Sequence, residues 1–169
     1  MRNRFMFALT AALVGVLALG GVVLATDPKG VTSTIFAVGR FQNIDARTRT
    51  DIDPTHRRHF WKARIAAKGA SDLYILENVI VPGGSFGWHS HPGPSLVVVK
   101  SGALTLYKGD DPTCTPQVIQ AGSGFVDDGG DVHLVRNEGS VDTVVYVTSL
   151  VPAGFARRID EPASGFCGF

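Results

Sequence analysis

Three of the five histidines in this chain have a spacing that is typical of a metal site. His89 and His91 are separated by one residue, so both side chains project from the same face if this segment is a strand. His133 follows in a second glycine-rich segment further along the chain. Neutral imidazole nitrogens are good ligands for zinc, iron, copper and nickel. The sequence therefore predicts a centre that binds a divalent transition metal and leaves positions open for water or a substrate.

The segments that carry these histidines belong to a series of short, predicted strands. They are rich in β-branched and aromatic residues and lie at 31–38, 60–67, 72–81, 95–100, 103–107, 116–120, 123–126, 132–136 and 143–151. Glycine and proline turns separate most of them, and 39–59 is predicted to be a polar connector. So many short strands must close into a barrel or pair as two sheets to protect their edges. The predicted fold class is all-β, a jelly-roll barrel.

The N-terminus is an export segment. Arg2 and Arg4 precede an uncharged apolar run from Phe5 to Ala25. Such a run is typical of a cleaved signal peptide, and it is also long enough to remain as a membrane anchor. Because the arginines come first, the rest of the chain is expected outside the cytoplasm in both cases. Any membrane association is expected only through this segment, if it is uncleaved.

The charge of the remaining chain argues against nucleic-acid binding. Removal of the two N-terminal arginines leaves 14 Lys+Arg against 15 Asp+Glu, a net charge of −1. Phosphate backbones require a clustered basic excess, which is missing here. The pairs Arg57-Arg58 and Arg157-Arg158 are interpreted as solvated surface charges.

The two cysteines predict one disulfide. Cys114 and Cys167 are an even number in a chain that is expected to be exported, where disulfides persist. The bond would tie the C-terminal tail to the barrel. We therefore divide the chain into an export segment (1–25), N-terminal strands (26–70), a barrel (71–152) and a C-terminal tail (153–169).

Both histidine segments resemble the two sequence motifs of the cupin family. The first motif is represented by Gly83, His89, His91, Ser95 and Gly102. The second is represented by Gly122, Gly130, His133 and Asn137, with Asp128 at the position of the family's proline. The resemblance covers residues 72–151 and implies a double-stranded β-helix, the jelly-roll barrel of this family. It also implies that His89, His91 and His133 bind the metal, which would be iron, manganese, zinc or nickel.

The chain departs from the family pattern at the position of a glutamate ligand. Ser95 occupies this position, and three neutral imidazoles would leave the charge of the metal unneutralised, which favours an anion in the open positions. Ser95 is interpreted either as a small residue lining the barrel or as a hydrogen-bond partner of a metal-bound water. Glu77 is the carboxylate that would replace the lost ligand if it faced the cavity, and it faces solvent otherwise.

Other polar residues near the motifs are given structural roles. Asp127 and Asp128 are interpreted as turn residues, and Asp131 is expected near the mouth of the cavity. His56 and His59 lack acidic or cysteine partners at suitable spacings and are interpreted as surface histidines.

Two classes of function are compatible with this pattern. One is a metal-dependent, oxygenase-like enzyme that acts on a small molecule. Its general base would have to be Glu77, or Tyr107 or Tyr146 if either tyrosine faced inward. The other is a non-catalytic cupin that binds a metal or a small ligand, because one fold serves many functions.

The strand that follows the first motif predicts a homodimer. If Ser95 faces inward, Val97 and Val99 also face inward, and Leu96 and Val98 form an apolar pair on the outer face. A second subunit would cover such a pair.

Overall fold

The computed structural model describes residues 25–53, 55 and 60–169, and this part of the chain contains eleven strands and no helix. The strands are β1 (Lys29–Phe41), β2 (Ile44–Asp51), β3 (Phe60–Ala67), β4 (Ser71–Ser90), β5 (Ser95–Ser101), β6 (Ala103–Lys108), β7 (Gln117–Gln120), β8 (Gly124–Asp127), β9 (His133–Arg136), β10 (Thr143–Pro152) and β11 (Ile159–Asp160). Within these described residues, no helix has the length and hydrophobicity of a membrane span. The predicted export segment lies outside them except for Ala25.

One long strand, β4, lies at the centre of the nine-stranded sheet that forms the barrel. Its first half, residues 71–80, pairs antiparallel with β10, and β1 pairs with the same half from the other side. Its second half pairs with β9 and, at its end, with β11. The strand order β7-β6-β9-β4-β10-β5-β8 therefore bends around a common interior. The predicted all-β jelly-roll barrel is confirmed.

The interior is filled by alternating residues of the strands. In β5, Val97 and Val99 are buried, whereas Leu96 and Val98 are 57% and 49% exposed on the outer face. This is the predicted alternation, and it places Ser95 on the inner face. Each buried aliphatic side chain stabilises the fold by about 1.5–3 kcal/mol. The core cluster consists of Leu76, Ile80, Val97, Val99, Leu104, Leu106, Val135, Val145 and Val147.

The prediction of a connector between the first two strands was wrong. Residues Ile44–Asp51 form β2, which pairs with β3 along its whole length as a separate two-stranded sheet. This hairpin buries no face: Trp61 and Ile65 of β3 are more than half exposed. Because β2 is held by backbone pairing, it lacks the apolar alternation by which a half-buried strand is recognised.

The C-terminal tail returns to the end of β4 that carries the histidines. Ile159 and Asp160 of β11 pair with Ser90 and His89. The Glu161 N–H donates to the Trp88 carbonyl over 3.0 Å, and the Ser90 hydroxyl donates to the Glu161 carboxylate over 2.7 Å. The tail is therefore a strand of the barrel wall at this end.

A disulfide joins the end of this tail to the loop after β6. The bond forms between Cys114 and Cys167, as predicted. Cys167 is buried in a second apolar cluster with Trp88, Tyr107 and Leu134. The tail is thus held covalently at its end and by strand pairing in its middle.

The start of the tail is held by a buried carboxylate at the beginning of β4. Asp72 accepts two hydrogen bonds from the Arg40 guanidinium, at 2.8 and 2.9 Å, and one from the Gly154 N–H at 3.0 Å. The hydrogen bonds from Arg40 and Gly154 lower the pKa of Asp72 to about 2. One carboxylate therefore links β1, β4 and the tail.

We predict that removal of the disulfide by the double substitution Cys114→Ser and Cys167→Ser lowers the free energy of unfolding by about 4 kcal/mol. The cysteines are 53 residues apart, and on the chain-entropy model a cross-link over such a loop restricts the unfolded chain by this amount. Urea unfolding of the oxidised wild type and of the variant measures the difference. Equal stability of the two proteins would show that the cross-link does not hold the tail.

Candidate metal centre

The three predicted histidines converge in the barrel. His89, near the end of β4, pairs directly with His133, at the start of β9. His91 follows just beyond the end of β4, where Pro92 cannot donate a ladder hydrogen bond. The ring centroids are 4.3 Å (His89–His133), 4.9 Å (His89–His91) and 5.4 Å (His91–His133) apart. All three are buried, and each offers a ring nitrogen within 4.8 Å of those of the other two.

Each imidazole is held in one tautomer by the backbone. The Nδ1 atoms lie within hydrogen-bond distance of three carbonyl oxygens: Gly87 for His89 at 2.8 Å, Arg157 for His91 at 2.6 Å and Asp131 for His133 at 3.0 Å. A carbonyl oxygen can only accept, so each Nδ1 carries the proton and donates it. In a neutral ring, Nε2 then has its lone pair free, which is the form that binds a metal.

Burial keeps two of these rings neutral. Desolvation is the largest cause that lowers the pKa of His89, to about 2, and the repulsion that a charged His89 would meet from Arg158 acts in the same direction. Desolvation also lowers the pKa of His91, against the hydrogen bond to Arg157 and the charge of Asp127, which raise it. At neutral pH, His89 and His91 are therefore in the form that coordinates metals.

The structure adds a carboxylate that the sequence did not reveal as part of the site. Asp127, at the end of β8, is buried, and its Oδ2 lies 3.4 Å from His91 Nε2 and 3.6 Å from His133 Nε2. Its Oδ1 accepts the Gly129 N–H at 3.0 Å, which is the turn interaction that the sequence predicts. The interpretation of Asp127 as only a turn residue was therefore wrong, because its second oxygen faces the histidines.

Asp127 lies opposite the residue that replaces the family's glutamate. In the pairing of β5 with β8, Ser95 and Asp127 are direct partners, so their side chains share the inner face. Ser95 is buried and hydrogen-bonds Ser149 on the next strand, Oγ to Oγ, at 2.6 Å. Asp127 thus places a carboxylate on the neighbouring strand, at the same level of the barrel as Ser95. The sequence signal that could have identified Asp127 is the alternation along β8, which places it on the same face as Phe125. The glycines that follow Asp127 favour the turn interpretation instead.

Glu77 does not face the cavity. Its neighbours Leu76 and Asn78 are buried on the inner face, so alternation directs Glu77 outward. Its carboxylate lies 3.7 Å from the Lys100 ammonium on the outer surface. The alternative that Glu77 faces solvent is thus the correct one, and Glu77 is not available as a ligand.

The other candidates also lie outside the cavity. The Tyr107 hydroxyl donates to Glu138 at 2.9 Å within the second apolar cluster, and Tyr146 is on the outer face. Asp128 and Asp131 are exposed beside a smaller surface recess. The predictions for His56 and His59 concern residues outside the described part of the chain.

The histidines form one end of a cavity of about 160 Å³ inside the barrel. Its walls are mainly apolar, with Asn78, Ser33 and Ser95 as further polar residues. Among the described residues that line it, Asp127 is the sole carboxylate. The apolar walls consist of Val31, Phe86, Val97, Leu104, Phe125, Val135, Val145 and Val147.

Two arginines of the tail line the same cavity, so their interpretation as solvated charges was wrong. The Arg158 Nε donates to Asp160 at 2.6 Å. The Nη1 and Nη2 atoms of Arg158 are buried without a hydrogen-bond partner among the described residues. A buried donor without a partner costs about 1–3 kcal/mol, and more when it is charged. Burial and the charge of Arg158 lower the pKa of the neighbouring Arg157.

Comparison with known proteins agrees with this architecture. Residues 77–149 match the family model described as Cupin domain. No curated protein shows significant similarity to the chain. A solved cupin superfamily protein from Desulfitobacterium hafniense is 14% identical, and the match covers 47% of this chain and 67% of that one with a TM-score of 0.41.

Two further solved structures are enzymes. An oxalate oxidase in complex with glycolate is 24% identical, with 46% of this chain and 41% of that one covered and a TM-score of 0.41. A DMSP lyase is 18% identical, with 53% and 44% covered and a TM-score of 0.44. The matched part of this chain thus spans less than half the length of either enzyme.

The segment that matches the family model contains all four residues of the candidate centre, His89, His91, Asp127 and His133. It also contains the strands from the middle of β4 to Ser149 of β10, which form the barrel around them. Residues 77–149 of this chain therefore form a cupin domain.

Proposed function

We propose that this protein binds one divalent transition metal through His89, His91 and His133, with Asp127 as the fourth ligand, and presents it to a small molecule in the barrel. The observation that supports this most strongly is the set of three Nδ1 to carbonyl hydrogen bonds, which leave three Nε2 atoms free at one place. A buried cluster of imidazoles whose Nε2 atoms lie together beside the Asp127 carboxylate is suited to a metal.

The donor set fits such an ion. Metal–nitrogen and metal–oxygen bonds of about 2.0–2.2 Å place neighbouring ligand atoms roughly 3 to 3.5 Å apart. The distances of Asp127 Oδ2 to His91 and His133 Nε2, 3.4 and 3.6 Å, are close to this spacing. Three imidazoles and one carboxylate suit iron, manganese, zinc or nickel, and the carboxylate offsets one unit of the metal's charge.

A bound metal would polarise a substrate oxygen or activate oxygen or water, according to its identity. The protein's own groups would orient the ligand: the apolar walls exclude water, and the arginines of the tail provide positive charge. The protein would then be a metal-dependent enzyme. It would act on a molecule small enough for a cavity of about 160 Å³.

One observation supports the non-catalytic alternative. Apart from Arg157 and Arg158, which stay protonated, the described lining residues include no acid or base besides the histidines and Asp127, all of which would be metal ligands. General acid–base catalysis needs a group that is free to exchange a proton with the substrate. Assays of the metal-loaded protein with small substrates distinguish the two functions: turnover indicates an enzyme, and its absence indicates a non-catalytic binding protein.

Export and dimerisation are further parts of the proposal. The disulfide supports an oxidising location outside the cytoplasm, where such bonds persist. The outer face of the barrel carries Phe36, Leu96, Val98 and Val126, all about half exposed or more, which supports a homodimer through this face.

We predict about one equivalent of metal per chain, and a loss of at least tenfold in affinity in His89→Ala, His91→Ala and His133→Ala. Asp127→Asn should weaken binding about 10–100-fold, because it removes the anionic ligand. Elemental analysis of protein purified without an affinity tag and competition with a chelator measure these effects. Glu77→Gln is the matched control for Asp127, and His56→Ala is the control for the histidines; neither should change the affinity.

A carboxylate at position 95, the strand partner of Asp127, should restore metal binding to the Asp127→Asn variant. Ser95→Glu in the Asp127→Asn background returns an anionic oxygen to the same level of the barrel, so the affinity should recover most of the loss. Equal metal content in the wild type and in the triple alanine variant of the histidines would reject the centre.

We also predict that the metal-free protein loses stability as the pH falls below about 6.5. The pKa values of His89 and His91 are lowered in the folded state, so their contribution is present above the pKa of the unfolded chain, about 6.5. Below this pH the unfolded state binds protons that the folded state does not, which favours unfolding by on the order of 1 kcal/mol per pH unit for His89, and His91 acts in the same direction.

Urea unfolding between pH 7.5 and 5 measures this dependence. His89→Gln should show a shallower slope than the wild type over the same range, since one of the two groups is removed. A wild-type stability that is constant or that rises on acidification would contradict the burial argument.

A further inference from the structure

The tail brings a positively charged group to the candidate metal centre by two separate contacts. The Arg157 carbonyl accepts the proton of His91 Nδ1, at 2.6 Å. Two residues later, β11 pairs with the end of β4, where Asp160 lies opposite His89. Arg158 lies between these two contacts, and its side chain lines the cavity. The position of Arg158 is therefore determined on both sides by residues of the candidate centre.

The hydrogen bonding of Arg158 is incomplete. Its Nε donates to Asp160 at 2.6 Å, but Nη1 and Nη2 have no partner among the described residues and are buried. The charge of a buried guanidinium is retained, because arginine does not deprotonate in proteins. A structure that keeps these charged donors buried has a free-energy cost, which a ligand with matching acceptors would remove.

We propose that Arg158 binds the carboxylate of a small organic acid inside the cavity. The inference rests on the proposed function in that it assigns a ligand class to the same cavity. The two terminal nitrogens of a guanidinium form a planar fork that matches the two oxygens of a carboxylate. Arg157 adds a second positive charge at the cavity, and no acid other than Asp127 lines it among the described residues.

The volume of the cavity limits the size of the ligand. Its volume of about 160 Å³ is close to that of an apolar cavity that holds a six-carbon ring, about 150 Å³. The ligand therefore has about six to eight non-hydrogen atoms. Because most of the wall is valine, leucine and phenylalanine, the part beyond the carboxylate is expected to be compact and apolar.

The test compares isobutyrate with isobutyramide, a neutral molecule of nearly the same shape. Calorimetric titration of each into the full-length protein, as purified and with its metal content measured, gives the two affinities. We expect isobutyrate to bind at least tenfold more tightly, because charge-assisted pairs are stronger than neutral ones. Arg158→Gln should remove this preference at unchanged metal content, and Arg158→Lys should retain part of it. Arg47→Gln, a change on the exposed β2–β3 hairpin, should leave it unaltered.

Equal affinity of the wild type for the two molecules, or no binding of isobutyrate at millimolar concentrations, would overturn the inference. So would an undiminished preference in folded Arg158→Gln. If that variant does not fold, the comparison of the two molecules on the wild type decides. If the protein binds metal but does not prefer isobutyrate over isobutyramide, only this inference is rejected. If it shows this preference but binds no metal, only the proposed metal site is rejected.

Discussion

Three hydrogen bonds from imidazole Nδ1 atoms to backbone carbonyls determine what this barrel can do. They set the tautomer of His89, His91 and His133, in which Nδ1 is protonated and the lone pair of Nε2 is available to a metal. Two of the carbonyls, those of Gly87 and Asp131, belong to residues two positions before the histidine that they orient. The third, that of Arg157, belongs to the tail. Local turns and one distant segment therefore act together on the same centre.

Because its Arg157 carbonyl orients His91, the tail is part of the candidate metal centre as well as of the barrel wall. Its start is held by Asp72, its middle pairs with β4, and its end is joined by the disulfide to the loop after β6. These contacts hold the Arg157 carbonyl against His91 and keep the Arg158 guanidinium buried at the cavity. The stability of the tail and the arrangement of the histidines are consequently linked through a few backbone contacts.

The sequence predicted the features that depend on local pattern. The spacing of His89 and His91 and the alternation of Val97 and Val99 follow from the geometry of a strand, and the disulfide follows from the even number of cysteines. It did not reveal the contributions that depend on pairing between strands. Asp127 enters the site because β8 pairs with β5 in a register that places it opposite Ser95. Arg158 enters it because β11 pairs with the end of β4, although an arginine pair in a polar tail is most often solvated.

The most direct test of this account is the tautomeric state of the three histidines in the metal-free protein, measured from the 15N chemical shifts of assigned imidazole rings. We expect a protonated Nδ1 and a free Nε2 in His89, His91 and His133, and a change at Nε2 of all three when one equivalent of zinc is added. A protonated Nε2 in any of them at neutral pH, or zinc binding that leaves these signals unchanged, would contradict it.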